Sequence, residues 1–396
     1  MREMWRFLTR QGPCPPLIAL LLTCSVAACA IPFSNKDTPL AQNTPIVYGS
    51  SEEDGSLQAL SGRDGSPLWR TAVGHSLTDS IIVGDMIYAV VFSAKTLKSS
   101  AIAVRLSDGK VLWQTAVPTT GTGPVLVSDS QNIIVDGIQA GLTGLDPADG
   151  AIRWSKQAKT DSRNMLRWGV LRRGVYYTTL PSDPNGPGGS TPALAAYRAS
   201  DGSELWKVPI TITVPLFANE STLFANSGNN TIVALSQEDG HQLWSKVYPA
   251  APAGVVGVSP RMALVNEDDK PLDALDAMDG HVLWSAASAD LSEVGVRDST
   301  NSVTAVADLI VGPQDDTLIA LHERDGTEAW RVQFQGFHYI SELRVRDGVL
   351  FVILYQQSGF SSQYQIAALD AATGAVYWRV DAPVVQGFAQ FSDAAP

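Results

Sequence analysis

The side chains in this 396-residue sequence best placed to react, or to grip a partner, lie in a few short stretches. Cys29 closes the run Val26, Ala27, Ala28, Cys29, behind an apolar segment at 17–28 and three arginines at 2, 6 and 10. A thiol directly after small residues at the end of an export signal is the acceptor for diacylglycerol, and cleavage before it leaves Cys29 as a lipidated N-terminus. Residues 1–28 are therefore read as a lipoprotein signal peptide; the apolar run is too short to span a bilayer, which takes about 20 residues. Cys14 and Cys24 leave with the signal, so the mature chain has no thiol to form a disulfide.

A second candidate is "RWGVLRRG" at 167–174, where Arg167, Trp168, Arg172 and Arg173 concentrate positive charge and an aromatic in a chain of net charge −12. Arginine and tryptophan dominate interface hot spots, so these four are candidate partner-binding residues, against the plainer reading of ordinary strand and turn positions. The stretch "LPSDPNGPGGSTP" at 180–192 has the composition of an exposed loop, either a recognition loop or a tolerated insertion. Phe334, Phe337, His338 and Tyr339 cluster ahead of a strand, where a core role for alternate aromatics is read in preference to a ligand platform.

Other chemistry finds little support. There is no G-x-S-x-G elbow, P-loop or H-E-x-x-H pair, so no catalytic residue is assigned. Five histidines, at 75, 241, 281, 322 and 338, lack the spacing of a metal set; those at 241, 281 and 322 are read as exposed turn residues, and no metal is expected. Glu267-Asp268-Asp269 and Asp315-Asp316 are read as solvated turns. The acidic balance, which deepens when the basic signal is removed, argues against nucleic acid as a partner.

Positioning any of these groups falls to a repeat. "ALSGRDGSPLW" at 59–69 returns as "GLDPADGAIRW" at 144, "ALSQEDGHQLW" at 234, "ALDAMDGHVLW" at 274 and "ALHERDGTEAW" at 320, with looser copies ending at Trp113, Trp206 and Trp378. In all eight, a glycine precedes the tryptophan by four residues; an acidic residue precedes the glycine in seven, with Thr373 in the eighth. An aliphatic run, an Asp-Gly turn and a return strand form a hairpin. Intervals of 38 to 52 residues between tryptophans leave room for two further strands, such as those around 132–137, 174–180, 221–228, 307–314 and 348–355. Four strands per unit predict an all-β, eight-bladed propeller. Only one strand's worth of chain precedes the first repeat and one follows the last, so the C-terminal strand is expected to join the N-terminal blade and close the ring.

These repeats resemble the pyrroloquinoline-quinone-like (PQQ-like) β-propeller repeat, whose blades share the pattern Ala-Leu-x-x-x-[Asp/Thr]-Gly-x-x-x-Trp. The resemblance implies that Trp69, Trp113, Trp154, Trp206, Trp244, Trp284, Trp330 and Trp378 pack structurally between blades. One branch of that family, the quinoprotein dehydrogenases, binds PQQ and Ca²⁺ beside vicinal cysteines, which this sequence lacks. The other is similar to this chain in signal, length and blade count: the BamB-type outer-membrane assembly lipoproteins, which hold other proteins. The expected organisation is signal peptide 1–28, lipidated Cys29 and tether 29–45, and propeller 46–396. The expected role is a non-catalytic, monomeric scaffold that binds an envelope protein, anchored by lipid on the outer face of the plasma membrane or the periplasmic side of an outer membrane, with no cofactor. A quinoprotein-like oxidoreductase using PQQ and Ca²⁺, or a ligand-sensing ectodomain, are the alternatives.

Overall fold

The computed structural model describes residues 45–391 apart from 51–54, 74–75, 94, 120–124, 138–140, 158–168, 181–191, 214–215, 229, 249–252, 268–270, 287–302, 359–360, 383–384 and 389. The described chain is all strand, in eight sheets that form the eight blades of a propeller ring. Blades 2 to 8 each take four consecutive antiparallel strands. Their first strands, such as Ser76–Val83, Val125–Ser128, Gly169–Arg172, Phe217–Ala218 and Tyr339–Arg346, contact one another from blade to blade and so line the axis.

Blade 1 is made from both chain ends. Pro45–Ser50, Ser56–Ser61 and Pro67–Ala72 supply its three outer strands, and Val385–Phe388 adds antiparallel to the first of them as the innermost. The expected closure is thus observed, leaving no sheet edge open at the seam. The chain then goes one step further than the sequence suggested: Gln390–Phe391 runs parallel to Ile81–Ile82 of blade 2, so the C-terminal segment ties two blades together.

Each position of the repeat has a physical task. In six blades the turn aspartate accepts the backbone N–H two residues on, as Asp64 does from Ser66 at 3.0 Å and Asp279 from His281 at 3.0 Å. Asp149 does the same for Ala151, and in blade 8 the Thr373 hydroxyl takes that part for Ala375. The glycine is left-handed in all eight, φ between 69° and 75°, and its N–H returns to the carbonyl four residues back. A β-bulge then falls at the same place in every blade, for instance between Ala234 and Leu235, and brings the tryptophan opposite the small residue of the repeat: Ala234 faces Trp244, Gly144 faces Trp154. A Cβ on Gly144 would lie 2.2 Å from the Trp154 ring, which accounts for the one glycine among seven alanines. The skipped residue on the bulged strand turns outward, which is why Leu68, Leu112, Leu205, Leu243 and Leu283 are all about 40% exposed.

The tryptophans link neighbouring blades. Each indole N–H donates to a carbonyl of the next blade: Trp69 to Leu106, Trp113 to Pro147, Trp154 to Ala199, Trp206 to Gln237, Trp244 to Ala277, Trp284 to Glu323 and Trp330 to Ala371, at 2.8 to 3.2 Å. Trp378 donates to Gly62 at 2.9 Å and so completes the circle. Each ring also lies flat on the turn glycine of the next repeat, close enough that a Cβ at Gly280 would sit 2.7 Å from Trp244 and one at Gly65 2.8 Å from Trp378. The core is accordingly divided into eight apolar layers, one at each blade junction.

Candidate functional site

The inner wall carries the charged groups that the repeat does not explain. In blades 2 and 8 the first strand bulges at the same register, between Leu77 and Asp79 and between Ile340 and Glu342, and an acidic residue follows the bulge in both. Bulges re-aim side chains. Asp79 accepts its neighbour Ser80 N–H at 2.8 Å and, across the junction, the Leu126 N–H of blade 3's inner strand at 2.9 Å. Burial pushes its carboxyl up to about 7; the two N–H groups and Arg344 hold it down, while Glu342 pushes it further up. Glu342 and Arg344, both nearly buried, form an ion pair, and Arg344 also donates to the Leu343 carbonyl at 2.9 Å. Asp79, Glu342 and Arg344 therefore flank the seam on either side of the closing strand.

A second buried carboxylate joins blades 3 and 4. Asp136, fully buried, accepts Tyr176 Oη–H and Thr178 Oγ1–H, each at 2.9 Å. A buried carboxylate is tolerated when hydrogen bonds satisfy it, and here both donors come from the adjacent blade.

Among the sequence candidates, Arg172 ends the inner strand of blade 4 and its Nη2 donates to the Ala218 carbonyl of blade 5 at 3.4 Å. Arg173 is exposed at the following two-residue turn, where it and Gly174 are both left-handed, φ 49° and 73°. The equivalent turn of blade 8 follows Arg346, whose guanidinium burial pushes its pKa down and Asp347 raises it. Arg344 and Arg346 were not picked out from the sequence, although "LRVRD" places two arginines on one side of a strand. Arg167, Trp168, His75, Asp268, Asp269, the loop 181–191 and Cys29 lie outside the described residues. Asp315 and Asp316 form the turn between Leu309–Gln314 and Thr317–His322. His241 and His281 are exposed, with Nδ1 2.6 and 2.5 Å from the turn carboxylates Asp239 and Asp279. His322 is half-buried rather than exposed, because it ends a strand whose four central residues are core. Asp276, Asp279 and His281 gather on one turn, where Asp276 accepts the Met278 N–H and Asp279 the His281 N–H.

The aromatic cluster follows its expected core role only in part. Phe334 is buried and stacks under Arg379, whose guanidinium lies 4.7 Å from the ring centre, and Phe337 packs on the junction of blades 7 and 8. Tyr339, however, is 44% exposed and His338 is exposed as well: Tyr339 begins the inner strand of blade 8 and His338 immediately precedes it.

A quinone with Ca²⁺ would need carboxylates free to ligate. Asp79 is engaged by two backbone N–H groups, Glu342 by Arg344, and the sequence has no vicinal cysteines. The described inner wall does not fit that group.

The fold and its repeat define a PQQ-like eight-bladed propeller. A family profile described as outer membrane protein assembly factor BamB matches residues 38–173, 190–347 and 302–394, and the chain belongs to that family. Among curated protein sequences none matches. Solved structures of similar fold include BamB from Moraxella catarrhalis, 16% identical over 80% of this chain and 92% of that one, TM-score 0.56. The computationally designed Ika8 protein is 11% identical over 78% and 93%, TM-score 0.59. The dihydro-heme d1 dehydrogenase NirN is 11% identical over 89% and 75%, TM-score 0.63. An assembly factor, a designed protein and an enzyme share the architecture, so the fold alone does not choose a function.

Proposed function

We propose that this chain is an exported lipoprotein, anchored through Cys29, whose propeller serves as a non-catalytic scaffold for another envelope protein. Membership of the BamB family across residues 38–394 carries this reading. The described buried carboxylates are consistent with it: Asp79 and Asp136 accept hydrogen bonds from the adjacent blade and so hold blades to one another, and Glu342 is paired with Arg344 of its own strand. Arg172 and Arg173 are the proposed contact, since Arg173 projects from the turn face of an acidic ring and would select an acidic surface on the partner. On this reading the partner site lies on the axial turn face, and the lipid holds the propeller at the membrane.

The test is a photo-crosslinking residue installed at position 173 in the native cells. One discrete adduct with an envelope protein is expected, lost when Arg172 is also changed to Glu. Absence of an adduct at 173, with normal amounts of protein in the envelope, would refute this contact.

A further inference from the structure

The second and third strands of blade 8, Val349–Ser358 and Ser361–Asp370, are ten residues each, against five or six in blades 3 to 7. At about 3.3 Å per residue the extra length lifts this hairpin roughly 13 Å beyond its neighbours. It projects from the face of the ring opposite the Asp-Gly turns and Arg173, because strands alternate in direction within a blade.

Three tyrosines stand side by side at its base. Tyr339, Tyr355 and Tyr364 are direct cross-strand partners, so they share one face of the sheet. Their ring centres are 4.8 and 5.2 Å apart, tilted by 32° and 62°. Beside them, His338 lies 6.5 Å from Tyr355. Its Nδ1 accepts the Gln357 backbone N–H at 3.2 Å, which leaves the neutral ring's proton on Nε2 as a donor of an exposed side chain. Gln357 and Ser362 each lie 3.3 Å from the Tyr355 hydroxyl, and both are exposed.

The surroundings restrict what such a surface suits. Residues 349–369 contain no Asp, Glu, Lys, Arg or His. Stacking on single-stranded nucleic acid needs a basic groove, which this hairpin lacks. Beside the tyrosines a peptide strand could not add at the outer side, since Val376–Ala382 already pairs there with Tyr364–Leu369. What remains is a ligand that offers flat apolar faces for the rings and neutral hydroxyls for amide, hydroxyl and imidazole groups.

We propose that Tyr339, Tyr355 and Tyr364, with His338, Gln357 and Ser362, form a binding site for a neutral oligosaccharide. The sugars' C–H faces lie on the tyrosine row, whose spacing suits successive pyranose rings along a twisted chain, and their hydroxyls meet Gln357, Ser362 and His338 Nε2–H. This site is independent of the scaffold role on the opposite face, and neither stands or falls with the other.

Saturation-transfer NMR of the full-length purified protein with three tetrasaccharides, of β-1,4-linked glucose, β-1,4-linked N-acetylglucosamine and α-1,4-linked glucose, tests it. Transfer to at least one is expected, strongest at ring C–H protons, with affinity reduced about tenfold or more in Tyr339→Ala. Tyr339 is exposed enough for that variant to fold, which an unchanged melting temperature verifies, and Gln357→Glu gives a second variant with no loss of packing. The proposal is overturned if none of the three shows transfer, or if binding is the same in both variants. A crosslinker at position 339 that yields a protein adduct and no glycan adduct in cells would likewise overturn it, in favour of a polypeptide.

Discussion

Replacing Trp244 by alanine should destabilise the ring by about 4 kcal/mol. The side chain is only 8% exposed, lies flat on Gly280 of the next repeat, approaches Phe224 at 6.0 Å and donates its indole N–H to the Ala277 carbonyl at 3.1 Å. Truncating a buried aromatic costs roughly 3 to 5 kcal/mol through lost contact and the cavity left behind. The hydrogen bond accounts for about 1 kcal/mol of this, so Trp244→Phe, which keeps most of the ring but not the N–H, should lose much less than Trp244→Ala. For a propeller of this size 1 kcal/mol moves the melting temperature by about 1.4 °C, so the alanine variant should melt about 5 °C lower. The adjacent Leu243 supplies an internal control. It is the bulge residue, 42% exposed, and Leu243→Ala should stay within about 0.5 kcal/mol of the parent. Urea unfolding followed by circular dichroism gives all three values. A loss below about 1 kcal/mol at Trp244, or an equal loss at Leu243, would refute the description of the tryptophans as inter-blade wedges.

Further outcomes follow from the same geometry. Gly326→Ala should cost about 2 kcal/mol or more, since φ is +69° and the new Cβ would meet Trp284 at 2.4 Å, whereas Gly174→Ala, with φ +73° and open space around it, should cost only the left-handed strain of about 1 kcal/mol; paired urea titrations compare them. Asp79 has a folded pKa near 7 against 3.8 unfolded, so its contribution is fully present below about pH 4 and is lost as pH rises toward 7. The urea midpoint of Asp79→Asn should therefore fall less between pH 5 and pH 8 than that of the parent; equal slopes would contradict the assignment. The turn aspartates at 64, 108, 201, 239, 279 and 325 are held below their usual range chiefly by hydrogen bonds from side chains and backbone N–H groups of the same turns. Their contribution has the opposite sign, present above about pH 4 and lost as pH falls through the depressed values, and changing several of them to Ala should reduce the acid sensitivity of unfolding. Deleting residues 385–396 removes the innermost strand of blade 1 and the tie to blade 2, and should abolish cooperative unfolding in a thermal scan.

The blades were legible because the signals that make them are local. An aliphatic run, a glycine able to take positive φ and an aspartate that bonds its own turn fall within eleven residues, and eight copies leave little choice of architecture. What each tryptophan touches was not legible, since its partners are the carbonyl and glycine of the next repeat, the carbonyl alone some 31 to 45 residues away, and 316 for Trp378. The small residue before the repeat's apolar position makes sense only once the bulge sets it opposite the tryptophan. Asp79, Glu342 and Arg344 carried no sequence signal, because the inner strands lie outside the repeat and their bulges shift the alternation that would have marked an inward face. The exposure of Tyr339 was not legible for a related reason. Alternation can place a residue on a face, but not reveal that the strand runs past the end of its neighbours.

The central proposal is that the ring holds a partner and does not carry out redox chemistry. Calorimetric titration of the purified protein with pyrroloquinoline quinone in the presence of Ca²⁺ tests it most directly. With Asp79 and Glu342 already engaged within the protein, no saturable heat is predicted. Binding at micromolar affinity or tighter would contradict the scaffold account and make the ring centre a site of oxidation chemistry.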